Sequence, residues 1–267
     1  MNPSFSSVFA LYRYWCLRAL CVLSIILPSS ICSSAQPAVV IAVEDDAAPW
    51  SRADGSGYAN DLVTAAFKAV GVDVELKVVP YARCKRMAVN GEVAGCFSMS
   101  PAADLAGVIE LSDKQLFVVQ AGYFYNVQKP PSSKRQADLP AKTIVGTVLG
   151  YEYPNSFEQL KQKGIIVVDE SPSEEINLRK LAAGRIDLAL LTYNEMKSPA
   201  MLIQKAGVSG QVKTTFSAGP MNSYIGFSTR HSQGQWARQQ FNKGFSLISR
   251  NGKLRRLRSN WLRTLSK

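Results

Sequence analysis

Pro80–Ser100 reads P-Y-A-R-C-K-R-M-A-V-N-G-E-V-A-G-C-F-S-M-S, and this stretch decides the fold. The apolar segment Val72–Val79 precedes this stretch and predicts a strand. Pro80 ends that strand, because proline lacks a backbone N–H. Tyr81–Val89 then predicts a helix, and Asn90-Gly91 is typical of a helix end. Val93–Phe97 predicts the next strand. In open α/β sheets, the edge at which such strands end is the edge that binds ligands.

The residues before this stretch complete a strand-helix-strand-helix-strand unit. Val39–Val43 is a continuous apolar run, which is typical of a buried parallel strand. Asn60–Val70 predicts an amphipathic helix because its apolar residues share one face. This order of elements predicts right-handed crossovers and a mostly parallel sheet.

The same order returns after the Pro-, Ser- and Lys-rich segment Lys129–Lys142, which marks a boundary. Further strands are predicted at Thr143–Val148, Ile165–Asp169 and Ile186–Leu191, with helices between them. The helix-Gly-strand pattern of Ala88–Val93 also recurs at Leu181–Ile186. The sequence therefore predicts two similar α/β lobes.

The remainder of the chain must close the structure. Phe216–Gly219 and Tyr224–Ser228 predict two strand segments, separated by a break at Pro220. If these strands return to the first lobe, the lobes are joined by hinge segments near 122–125 and 217–222. Lobe 1 would then comprise residues 36–121 plus 223–267, and lobe 2 residues 126–216. A cleft between two hinged lobes is the expected ligand site.

The N-terminus predicts an export signal. Arg13 and Arg18 precede the apolar run Ala19–Leu27, and Ser33-Ser34-Ala35 offers small residues for cleavage after Ala35. A membrane anchor is the alternative, but this run is well short of the roughly 20 residues that a spanning helix needs. We therefore expect a signal peptide at 1–35 and a periplasmic protein.

Export leaves Cys84 and Cys96 as an even pair in an oxidising compartment. Cys84 falls in the first turn of the predicted helix and Cys96 near the end of the next strand. In a strand-helix-strand unit, the start of the helix and the end of that strand face each other. A disulfide is predicted, with two free buried thiols as the alternative. Zinc is not expected, because His231 is the only histidine and lies far away in the sequence. We expect no metal and no cofactor.

The formal charge of +11 comes from basic residues spread along the chain. No basic run has interleaved aromatic residues, so nucleic acid is not an expected partner. The basic run Lys253–Arg263 is interpreted as the solvated face of a C-terminal helix, with docking to a partner as the alternative. Attraction to anionic membranes or acidic ligands has only weak support.

Several short motifs occur together in a specific order. They are Pro49-Trp50, Gly57 to Ala65, Pro80-Tyr81-Ala82-Arg83, Gly91-Glu92-Val93, Leu111-Ser112-Asp113, Gly146 to Tyr153, Ala183 to Asp187, Gly226-Phe227, Asn251-Gly252 and Trp261. In this order, over residues 38–265, the chain resembles the extracytoplasmic solute-binding proteins of ABC importers, in the group that binds polar amino acids. The resemblance implies an α/β two-lobe clamp, each lobe a mostly parallel sheet flanked by helices, with two hinge crossings.

The resemblance also implies ligand-binding residues. Tyr81 falls where the family places an aromatic residue that packs on the ligand. Ser98 and Ser100 fall where backbone and hydroxyl groups receive its polar end. Gly150 and Tyr151 open a helix of the second lobe whose N–H groups suit an anion.

The chain departs from the family at both charge partners of an α-amino acid. Pro101–Ala106 contains no arginine for the α-carboxylate, and Thr192 stands where an aspartate would hold the α-amine. Arg83 is a candidate replacement for the anion contact, and Glu44 or Asp45 for the cation contact. Trp50 is a candidate lining residue. Each of these residues has a structural alternative, as a solvated charge or a core side chain.

The leading hypothesis is a monomeric binding protein without catalysis. It would capture a small polar solute, an amino acid or a related compound, and deliver it to a membrane ABC permease. A lyase- or dehydratase-like enzyme on the same scaffold is one alternative, and Glu44 or Asp45 would then act as general acid or base. A ligand-sensing subunit for a membrane receptor is the other.

Overall fold

The computed structural model describes residues 37–265. The predicted signal peptide at 1–35 lies outside the described residues. Each helix between residues 37 and 265 is too short or too polar to cross a lipid bilayer.

The described residues form short strands and helices in alternation. The strands are β1 (Val39–Glu44), β2 (Asp46–Ala47), β3 (Ser51–Arg52), β4 (Val74–Val79), β5 (Gly95–Met99), β6 (Ile109–Leu111), β7 (Phe117–Asn126), β8 (Thr143–Val148), β9 (Ile166–Ser171), β10 (Leu188–Tyr193) and β11 (Val212–Ser228). The α-helices are α1 (Tyr58–Lys68), α2 (Tyr81–Asn90), α3 (Asn155–Gln162), α4 (Glu174–Ala182), α5 (Pro199–Lys205), α6 (Gly234–Arg250) and α7 (Lys253–Leu265). The elements predicted around Pro80–Ser100 are confirmed, with bounds shifted by a residue or two.

The sheet order defines two lobes joined by two long strands. Strands are hydrogen-bonded in the order β4-β1-β5-β11-β7-β10-β8-β9, and β6 pairs with β11. The first lobe is built on the parallel strands β4, β1 and β5, and the second on the parallel strands β10, β8 and β9. The antiparallel pair β7 and β11 connects them. The structure is therefore the predicted α/β two-lobe clamp with two crossings.

The last crossing strand differs from the sequence prediction. Two segments broken at Pro220 were expected, but β11 is a single strand of 17 residues. Its register against β7 shifts on either side of Ser217, and the Ser217 hydroxyl accepts a hydrogen bond from the Gly219 N–H at 2.9 Å. These irregularities bend the strand without ending it, as bulges do. Gly122, Phe124 and Tyr125 pair with both β10 and β11. The predicted domain boundaries stay a prediction.

Helices cover the sheets and leave the strand ends free. In the first lobe α1 packs on α6, where Gly244 lies so close to Ala66 that a Cβ atom would come within 1.9 Å of the Ala66 carbonyl oxygen. In the second lobe α4 packs on β8 and β10. Gly91 ends α2 in the left-handed conformation, with φ of 80°. This ending fulfils the sequence prediction.

The predicted disulfide is confirmed. Cys84, in the first turn of α2, is bonded to Cys96 in β5, and their Cα atoms are 5.6 Å apart. Both side chains are fully buried. The bond fixes α2 to the strand whose end leads into the cleft.

Candidate functional site

A cleft lies where the two lobes meet, at the carboxyl ends of β1 and β5. Its cavity measures about 40 Å³, whereas a single water needs roughly 10–15 Å³ by this kind of measure. Side chains from both lobes line the cavity, among them Glu44, Trp50, Tyr81, Ser98, Ser100, Phe117, Tyr151, Glu152, Thr192 and Ser223. The lobes are therefore closed on each other, and the cavity has room for a few waters only.

A carboxylate of the second lobe crosses the cleft into the first. The Glu152 Oε2 atom accepts a hydrogen bond from the Tyr81 hydroxyl at 2.7 Å and one from the Ser100 N–H at 3.1 Å. The Lys85 ammonium lies 2.9 Å from Glu152 Oε1. Burial raises the pKa of the Glu152 carboxyl, and the Lys85 ammonium partly offsets that rise.

A second carboxyl group belongs to the first lobe and forms a hydrogen bond with the second lobe. Glu44, at the end of β1, accepts a hydrogen bond from the Tyr151 hydroxyl of the second lobe at 2.6 Å. Burial raises the pKa of Glu44 to about 8, although the Tyr151 hydroxyl and the Lys197 ammonium both act to lower it. Glu44 therefore carries a proton in the closed protein at neutral pH.

Aromatic rings form one wall of the cleft. Trp50 stacks on Phe117 with ring centroids 4.6 Å apart and an interplanar angle of 16°. The Lys197 ammonium of the second lobe lies 4.4 Å from the centroid of the Trp50 ring. A cation over an indole face is attracted by the ring quadrupole. The Trp50 face is therefore a position that accepts an ammonium group.

The same ammonium belongs to a buried polar cluster. Lys197 forms an ion pair with Glu174 at 2.6 Å and donates to the Thr192 hydroxyl at 3.3 Å. Thr192 in turn donates its N–H and its hydroxyl to Glu174 Oε1, at 2.9 and 3.1 Å. A carboxylate, that of Glu174 at the start of α4, thus lies beside Thr192, the position at which the resemblance implies an aspartate.

The structure brings most of the predicted site residues together. Those that line the cavity are Glu44, Trp50, Tyr81, Ser98, Ser100, Tyr151 and Thr192. The expectation that Gly150 and Tyr151 open a helix is wrong, because α3 begins only at Asn155. Gly150 adjoins the cavity with a φ of 84°, and a Cβ atom there would lie 3.0 Å from the Ala82 Cα atom. Only glycine therefore allows this approach of the second lobe to α2.

Arg83 does not join this group. It is exposed on α2 and is not among the residues that line the cavity. Lys85 occupies the position facing the cleft, because residues four apart on a helix share a face whereas residues two apart do not. Lys85, one turn after Tyr81, thus makes the anion contact that the sequence interpretation assigned to Arg83.

Sequence reasoning missed further residues in and around the cleft. Those that line the cavity are Ala47, Phe117, Val119, Glu152, Met221 and Ser223. Lys85, Glu174 and Lys197 bond to residues that line it. Lys85 could have been found from its helical spacing to Tyr81. Glu152 and Lys197 lie in loops of the second lobe, and their pattern in the sequence gives no sign of contacts across a cleft.

Comparison with known proteins supports the fold. No family model matches the chain, and no curated protein matches it. Similar solved structures include a histidine kinase sensor domain with similarity to periplasmic binding proteins, an ancestral arginine-binding protein bound to arginine, and an ancestral amino-acid-binding protein that is a precursor of cyclohexadienyl dehydratase.

These three structures match over nearly their whole length. The TM-scores are 0.71, 0.67 and 0.64, with identities of 18%, 19% and 15% in the same order. The matches cover 85%, 85% and 84% of this chain and 97%, 99% and 95% of the other chains. The chain therefore has the two-lobe fold of the periplasmic binding proteins, which confirms the predicted resemblance at the level of fold.

Proposed function

We propose that this chain is an extracytoplasmic solute-binding protein. It captures a small polar solute, an amino acid or a related compound, between its lobes and delivers it to an ABC permease in the membrane. The observation that supports this proposal is the cleft itself, in which aromatic faces and hydrogen-bonding groups of both lobes converge. The protein acts as a monomer and carries out no reaction.

Capture requires the lobes to open and close about β7 and β11. A solute that contacts both lobes stabilises a less tightly closed form, with more room than the present cavity of about 40 Å³, by its differential affinity for that form. The rim contacts that resist opening are exposed ion pairs, Lys205 with Asp46 at 2.8 Å and Arg258 with Glu195 at 2.7 Å. Such pairs contribute at most about 1 kcal/mol each. The buried contacts at the centre therefore dominate the closed state.

The groups at the centre suit a solute with an amine. Two carboxyl groups, Glu44 and Glu174, lie within reach of the Trp50 face, and all three side chains are buried. The indole ring and the Glu174 carboxylate already attract one ammonium group, that of Lys197, and a solute amine beside the protonated Glu44 would favour release of its proton. An amine is thus the part of the solute that these residues are best suited to receive.

A thermal-shift screen tests the proposed function. Protein purified after expression of the full chain is screened against amino acids, polyamines, opines, small organic acids and short peptides. A solute that binds only the folded protein raises its Tm by mass action. We expect a hit whose Kd rises at least about tenfold in Trp50→Ala, since a buried aromatic contact contributes on the order of 1–2 kcal/mol.

Trp236→Ala is the matched control, because Trp236 does not line the cavity. Equal affinity in both variants would remove the cleft as the binding site. No hit from any class of small polar compound would contradict the proposed function.

Glu44 supports a second candidate, a lyase- or dehydratase-like activity. A carboxyl with a pKa of about 8 holds a proton near neutral pH and can act as a general acid. Incubation of each hit with the protein, followed by mass spectrometry, distinguishes the two functions. Turnover that is lost in Glu44→Gln while binding persists would favour the enzyme, and an unchanged solute favours the binding protein.

A further inference from the structure

Three donors of the first lobe converge on one point of the cleft. They are the Tyr81 hydroxyl and the Lys85 ammonium, both on α2, and the Ser100 N–H just after β5. Two of them are neutral hydrogen-bond donors and the third is a cation. Donors in this arrangement form a binding position for a carboxylate, which we call the anion subsite.

The anion subsite is filled by the chain itself. Glu152 belongs to the segment between β8 and α3 of the second lobe, and its side chain is 3% exposed. In the described residues, each hydrogen-bond and ion-pair partner of its carboxylate belongs to the first lobe. The Glu152 carboxylate thus binds the first lobe as a ligand would, although it is covalently part of the second lobe.

The local backbone holds Glu152 in this position. Gly150 lies against Ala82 of α2, with its carbonyl oxygen 3.5 Å from the Lys85 ammonium. The neighbouring Tyr151 packs edge-on against Tyr81, with centroids 5.0 Å apart. Contacts on both sides therefore seat the Glu152 segment directly over the anion subsite.

We propose that Glu152 is a tethered ligand of the first lobe, which holds the cleft closed and excludes the carboxylate of a free solute from the anion subsite. A tethered group acts at an effective concentration on the order of millimolar or more, so a free carboxylate competes poorly. The solutes that the wild-type cleft receives consequently bind through an amine or another polar group. The statement about how solutes bind rests on the proposed function, whereas the role of Glu152 as a tethered ligand does not depend on it.

Removal of the Glu152 side chain vacates the anion subsite for an external carboxylate. In Glu152→Ala, a small carboxylate such as acetate can approach the three donors and restore their bonds. We expect about 100 mM sodium acetate to raise the Tm of this variant by about 2–4 °C above the value in sodium chloride of equal ionic strength. The wild-type Tm should change by less than about 1 °C in the same comparison.

Glu170→Ala is the matched control, since Glu170 is an exposed glutamate of the second lobe, on β9. An equal response to acetate in this control, or in the wild type, would indicate a general salt effect and would overturn the proposal. A folded Glu152→Ala protein that does not respond to acetate would also overturn it.

Small-angle X-ray scattering gives a second, independent measurement. The wild type should scatter as a closed form, Glu152→Ala as a more open one, and acetate should close the variant. Glu152→Gln, which keeps the shape and removes the charge, covers the case in which the alanine variant does not fold, and it should also open. A Gln variant as closed as the wild type would contradict the tethered ligand.

These outcomes separate the inference from the proposed function. Rescue by acetate together with a solute screen without hits would contradict the solute-binding function and leave the tethered ligand in place. A solute hit without rescue by acetate would support the solute-binding function and contradict the tethered ligand.

Discussion

Glu44 shows how one buried group links the closed cleft to pH. Its carboxyl is surrounded by the Tyr151 hydroxyl, the Lys197 ammonium and the carboxylates of Glu174 and Asp46. Loss of hydration, together with the Glu174 and Asp46 carboxylates, outweighs the Tyr151 hydroxyl and the Lys197 ammonium and keeps the group protonated in the closed protein. An unfolded chain binds that proton only below its ordinary pKa of 4.5.

The stability of the folded protein should therefore fall as the pH rises from about 4.5 to about 8. The folded pKa of Glu44 is raised, so its contribution is complete below about pH 4.5 and is lost as pH approaches 8. In Glu44→Gln this contribution disappears, and the decline in unfolding free energy between pH 5 and 8 should shrink by roughly 1–3 kcal/mol. Urea unfolding at several pH values measures this, with the exposed Glu75→Gln on β4 as control. Parallel pH profiles for Glu44→Gln and the wild type would contradict the prediction.

Residues of the site differ in how well the sequence reveals them. Tyr81 and Ser100 could be predicted because they follow directly after strand and helix boundaries that local patterns define. Arg83 was assigned in place of Lys85, although helical geometry favours the residue four positions after Tyr81. Glu152 could not be assigned, because its partners lie 52 and 71 positions away in the sequence and meet it only when the lobes close.

At the scale of elements, the disulfide makes α2 and β5 one unit. Tyr81 and Lys85 of the anion subsite lie on α2 beside Cys84, and β5 leads directly into Ser100. The disulfide thus fixes α2, which carries two of the donors, relative to β5, which leads to the third. Local sequence also defined these elements well, whereas the continuity of β11 was missed because Pro220 indicated a strand end.

Replacing the cysteines should weaken this unit. A loop of 12 residues closed by a disulfide contributes about 3 kcal/mol to stability in the chain-entropy estimate. Cys84→Ala with Cys96→Ala should thus lower the Tm by about 5–10 °C. Thiol labelling of the unreduced, denatured wild type should find no free cysteine, and reductant should not affect the double variant. Two labelled thiols in the wild type, or an unchanged Tm in the variant, would refute the disulfide's role.

At the scale of the whole molecule, two lobes that each resemble the other are joined by two strands. The repeated helix-Gly-strand pattern predicted the two lobes, and the strand segments near residues 216–228 predicted the second crossing. The closed relation of the lobes could not be predicted, because it depends on contacts such as Lys197 with Trp50 and Tyr151 with Glu44, which cross between them.

The predicted export signal determines where this clamp is expected to operate. Cleavage of the full-length chain after Ala35 should yield a protein beginning at Gln36, recovered from the periplasm of an expressing bacterium. The mass of the intact purified protein measures the cleavage site. A protein that retains residues 1–35 in the membrane fraction would favour the anchor over the signal peptide. Changing Ala35 to a bulky residue should slow the cleavage, whereas changing the basic Lys253 should not.

The stack of Trp50 on Phe117 under Lys197 has an optical consequence. The indole is buried, its Nε1 atom has no hydrogen-bond partner among the described residues, and a cation faces its ring only when the lobes meet. Opening would hydrate the indole and remove the cation. The fluorescence emission of Trp50 thus shifts to longer wavelength when the lobes separate, and the protein reports each opening of its cleft without an added dye.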